Sequence, residues 1–79
     1  MIGAFDLLAR DAQILGGKPI IKGTRISVAL VLEWLSTGGT PEAIQVAYPG
    51  VSVAAVHQAL RYASQMMTAS DTYDLTIVV

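Results

Sequence analysis

The sequence predicts a mainly α fold: three short helices in helix-turn-helix order, with a strand-and-turn arm before them and a strand after them. Three observations predict it. The stretch Ile14–Val28 sets three Gly, one Pro and three of the five basic residues between apolar pairs, so its backbone turns too tightly for a helix. From Val28 onward the apolar spacing becomes helical, and each helical segment opens on a capping hydroxyl. The last residues, Asp74–Val79, are rich in β-branched side chains and read as a strand.

The elements follow in order. Between Ala4 and Arg10, Phe5, Leu7 and Ala9 alternate with Asp6, Leu8 and Arg10, which leans toward strand. Gly16-Gly17 turns the chain. Lys18–Lys22 reads as a short edge strand, because Pro19 cannot donate to an inner ladder. Gly23-Thr24 turns it again, and Ser27 is placed to cap the first helix. There Val28, Val31, Leu32 and Leu35 share a face, while Leu30 and Trp34 sit elsewhere. A helix apolar on more than one side is central or lies in an interface. Gly38-Gly39 ends it. Thr40-Pro41-Glu42 opens the second helix with a cap, a proline at the first position and an acid in the first turn. This helix turns Ile44 and Tyr48 inward and stops at Pro49-Gly50. Ser52 caps the third helix, whose expected buried stripe is Val53, Val56, Leu60, Ala63 and Met67. The opposite face holds Ala54, Ala55, Gln58, Arg61 and Gln65. All of this fits one domain over 1–79: an arm over 5–26, a three-helix core over 27–67 and a C-terminal strand over 71–79.

Composition narrows the functions. The 79 residues are 53% hydrophobic and 14% charged, against about 25% charged in a typical domain. So small a core cannot shelter that much apolar surface, and burial against a second copy is expected. With no cysteine there is neither a disulfide nor a thiolate zinc site. A net charge of −1 gives no strong global attraction to nucleic acid. No apolar run is long enough to cross a membrane, and the N-terminus lacks the basic start and long apolar stretch of a signal peptide. A cytoplasmic location is the expectation.

Lys18, Lys22 and Arg25 lie within eight residues on a turning backbone. They form either a patch for phosphates or an acidic partner, or a solvated pair of lysines beside an Arg25 that serves an internal carboxylate or carbonyls. The glycines do not form a phosphate loop: the order is Gly-Gly-Lys-Pro, and no helix starts after Lys18. On the third helix, where a recognition helix would sit, the first turn carries Val53, Ala54 and Ala55. Only Gln58 and Arg61 could reach base edges or phosphates, so DNA binding is expected to be weak. His57 is the lone histidine, without partners for a metal. Trp34 is a candidate interface anchor, and Tyr48 more a core residue. Leu75, Ile77 and Val79 are candidates for association by strand addition. The six acids are scattered, and no nucleophile stands beside a base, so neither catalysis, cofactor nor small-molecule substrate is expected.

One resemblance is specific. Gly16–Val28, then Leu32, Leu35 and Gly38, then Thr40–Ile44, Tyr48-Pro49, and Val53, Val56 and Ala59–Ala63 resemble, in order and spacing, the bacterial domain-of-unknown-function family 433 (DUF433). The likeness spans roughly residues 11–65. It implies a homeodomain-like three-helix core with an N-terminal strand element, usually dimeric. It also implies an antitoxin role beside a nuclease-like toxin of PIN-type fold. The chain departs from the family pattern at Ser27, where Pro is usual, and at Ala43, Ala47, Ala54 and Ala55, where the family is more acidic. The expectation is a non-enzymatic antitoxin-like module that binds itself, a PIN-like toxin and, weakly, operator DNA. The alternatives are a DNA-binding regulator without a toxin and a purely structural dimerisation module.

Overall fold

The computed structural model describes residues 2–70. Three helices, α1 (Val28–Ser36), α2 (Pro41–Ala47) and α3 (Val53–Ser70), follow an arm that holds two short strands, β1 (Leu8–Ala9) and β2 (Ile20–Ile21). The fold is mainly α with a small antiparallel ladder, as the residue pattern predicts. The strand expected over 71–79, with Leu75, Ile77 and Val79, lies outside the described residues.

The arm is closed by backbone bonds. β1 and β2 run antiparallel, with Leu8 opposite Ile21 and Ala9 opposite Ile20. The other side of β2 is also taken: Ile21 N–H donates to the Ile26 carbonyl at 2.9 Å, and Val28 N–H to the Pro19 carbonyl at 2.9 Å. The sheet has two strands, so β2 is one of its edges, as expected, and only an isolated bridge between Ile20 and Ser27 lies on its other side. Pro19 stands just before the paired residues, so its missing N–H removes no rung. Between the strands, Leu15, Gly16 and Gly17 all take positive φ, at 50°, 66° and 83°. This left-handed corner reverses the chain toward Lys18.

Local chemistry sets the helix ends. The Ser27 hydroxyl accepts from Leu30 N–H at 2.9 Å, that of Thr40 from Ala43 N–H at 3.1 Å, and that of Ser52 from Ala55 N–H at 3.0 Å. After α1, Gly38 sits at φ 93°. Gly39 N–H reaches back to the Trp34 carbonyl (2.9 Å) and Gly38 N–H to the Leu35 carbonyl (3.2 Å), a Schellman ending.

The core draws Leu8 and Ile21 from the arm, Val28 and Val31 from α1, Ile44 from α2, Val51 from the turn, and Ala55, Val56, Ala59 and Tyr62 from α3. The buried face of α3 differs from the expected stripe. Val56 is buried and Ala63 half-buried, but Leu60 is 41% and Met67 60% exposed, while Ala55, Ala59 and Tyr62 are buried. The cause is steric. α3 packs against α1, α2 and β1, and small alanines allow a close approach that Leu60 and Met67 would block.

Candidate partner-binding surfaces

The clamp between arm and α3 positions everything else. Gln58 uses both ends of its amide on the arm: Oε1 accepts from Leu7 N–H at 2.9 Å, and Nε2 donates to Asp6 Oδ1 at 2.7 Å. Arg10 Nη2 donates to the Tyr62 hydroxyl at 2.6 Å, and the Phe5 ring meets Tyr62 edge-on, 5.6 Å between centroids. Gln58, singled out for base contact, is thus spent inside the fold. Arg61 is exposed and lines a shallow hollow with Ala4, Phe5 and Gln65.

The arm cations divide. The turn that carries Lys22 and Arg25 is held by Thr24, whose hydroxyl donates to the Ile21 carbonyl at 2.8 Å and accepts from Ile26 N–H at 3.0 Å. Arg25 lines a cleft of about 480 Å³ with Ala9, Arg10, Asp11, Ile14 and Ile20. Lys18 instead stands at the rim of a second hollow of about 360 Å³ between α1 and α3, walled by Pro19, Val28, Ala29, Leu32, Ala63 and Met67. Lys22 lines neither. The side chains of Lys18, Lys22 and Arg25 are exposed and make no hydrogen bond or ion pair among the described residues, so Arg25 serves no internal carboxylate or carbonyl there. Sequence reasoning missed Arg10. Counting it would have shown that residues 10–25 hold four of the five basic residues and one acid, Asp11.

Trp34, the expected anchor, is half-buried and meets Tyr48 edge-on at 5.8 Å, packed against this chain's own core. Among the described residues no group of acids or His57 could hold a metal, and no helix is long and apolar enough to cross a membrane.

A three-helix core, a hairpin arm clamped onto its last helix, and two open hollows beside the arm define a small, mainly helical domain of the family kind expected from the motifs. The chain belongs to the DUF433 family, described as proteins of unknown function, whose model matches residues 9–63. No curated protein matches it, and no solved structure does.

Proposed function

We propose that this protein is a non-enzymatic, antitoxin-like binding module of the cytoplasm that associates with itself and neutralises a PIN-like nuclease toxin. The apolar groove between α1 and α3 carries the reading. It is open, its walls are apolar almost throughout, and a cation, Lys18, stands at its rim. Open apolar surface of this kind serves protein contact. A nuclease that holds metal ions with clustered carboxylates presents negative charge, which the exposed cations of the arm, Lys18, Lys22 and Arg25, complement. DNA readout has less support. The exposed polar groups near the start of α3 reduce to His57 and Arg61, because Gln58 is engaged by the arm. Operator binding is therefore a weak secondary activity of the complex.

Co-expression with a PIN-like nuclease encoded beside this chain tests the reading. The two are expected to purify as one complex, with the nuclease inactive. A nuclease that stays active in excess of this chain would refute it. Ala29→Glu supplies the surface control. Ala29 is exposed in the first turn of α1, where an acid is favourable, so the fold is retained while a charge enters the groove. Loss of the complex with unchanged circular dichroism is expected.

A further inference from the structure

The cleft lined by Arg10 and Arg25 carries a second binding assignment. We infer that the hollow between Arg10 and Arg25 receives a carboxylate-bearing peptide segment of a protein partner, an Asp or Glu side chain flanked by an apolar one.

Arg10 is pre-positioned. Its guanidinium donates to the hydroxyl of Tyr62, a residue only 8% exposed, and the edge-on Phe5 ring braces Tyr62 from the arm side. One N–H of five is used, so the fork keeps donors for a ligand. Arg25 lines the same cleft without a partner among the described residues. Its backbone is steadied by the doubly bonded Thr24. Two guanidiniums on one cleft suit a planar oxyanion, which each can grip with paired N–H groups.

The lining decides which oxyanion. Ala9, Ile14 and Ile20 supply an apolar floor. A carboxylate side chain brings methylenes and an apolar neighbour to cover it, whereas a phosphodiester backbone covers it with charge. Asp11 also lines the cleft, with Oδ1 accepting from Gln13 N–H at 2.9 Å. It leaves the site a small net positive charge, enough for one carboxylate and repulsive to a polyanion. The assignment goes beyond the nuclease reading and rests on it only in taking the occupant to be a protein segment.

The test uses the full chain labelled with nitrogen-15 and three probes read by NMR: the blocked peptide acetyl-Leu-Glu-Glu-Leu-amide, inorganic phosphate and a short DNA duplex. The peptide is expected to shift the Arg10 and Arg25 Nε–H signals and the Gly23 and Thr24 amides. Arg25→Gln is expected to weaken it about tenfold, worth about 1.4 kcal/mol, with partial recovery in Arg25→Lys and no change in Lys22→Gln. Arg10→Gln is expected to weaken it equally. A thermal melt and the Tyr62 ring signals of that variant separate lost binding from lost folding. Equal shifts from phosphate and peptide, shifts from DNA alone, or peptide shifts elsewhere would each overturn the assignment. Peptide binding here without toxin inhibition would leave this site standing and defeat the nuclease reading; the converse would defeat only this site.

Discussion

Single residues at the arm carry two opposite kinds of energetic weight. Gln58 is the more costly to lose. Gln58→Ala strands the partly buried Leu7 N–H, which among the described residues bonds to that side chain alone. A loss of about 1–2 kcal/mol is expected in urea denaturation. Asp6→Asn keeps an acceptor for the exposed Nε2 bond and should cost less than about 0.5 kcal/mol. If the two variants are equally stable, the clamp is not where the arm is held. Leu15 works the other way. It is a non-glycine residue at φ 50° and 45% exposed, so it bears left-handed strain of about 1–2 kcal/mol with little burial in return. Leu15→Asn, which tolerates that conformation, should leave stability unchanged or raise it by up to about 1 kcal/mol. A melting temperature lowered by several degrees would show that Leu15 packs more than its exposure indicates.

At the scale of elements, the helix boundaries were legible and the helix faces only partly so. A cap depends on residues within one turn, so Ser27, Thr40 and Ser52 could be placed from the chain alone, and all three accept the expected amide. Which side of α3 is buried depends on what packs against it. Val53, Leu60 and Met67 recur every seven residues and mimic a core stripe. The close approach of arm and helices selects Ala55 and Ala59 instead. Of the candidate sites, the basic residues were visible, but their division between two hollows was not, and Arg10 became visible only through Tyr62. The corrected face gives a contrast. Ala59→Leu should destabilise by about 1–3 kcal/mol through overpacking, whereas Leu60→Ala should cost less than about 1 kcal/mol. Chemical denaturation of both variants checks it, and the reverse order would restore the stripe expected from spacing. At the end of α1, a Cβ on Gly39 would lie 2.8 Å from the Trp34 carbonyl oxygen. Gly39→Ala should therefore lower stability by about 1–3 kcal/mol, read by the same assay.

For the whole molecule, charge is segregated. Residues 10–25 carry four basic side chains against Asp11, a net of +3, while residues 26–79 carry Arg61 against Glu33, Glu42, Asp71 and Asp74, a net of −3. With Asp6 this sums to the overall −1. The basic arm draws an approaching acidic partner toward itself. Association is expected to slow at least about tenfold as salt rises from low to physiological strength, a change visible in stopped-flow traces. A rate indifferent to salt would remove the arm from recognition. If the groove takes the toxin, as proposed, and the C-terminal residues take the second copy, sedimentation of the 8.3 kDa chain should give a larger mass, unchanged in Ala29→Glu and lowered in Leu75→Asp.

The clamp has a consequence for synthesis. Leu7 is tied to Gln58 and Arg10 to Tyr62, pairs separated by 51 and 52 positions. A growing chain emerges N-terminus first, so the arm leaves the ribosome before its seat on α3 does. Until α3 arrives, Leu8 and Ile21 remain wet and exposed to passing chains. A product truncated before α3 is expected to leave its arm unseated and its apolar residues exposed, and so to be cut faster than the full chain in limited proteolysis.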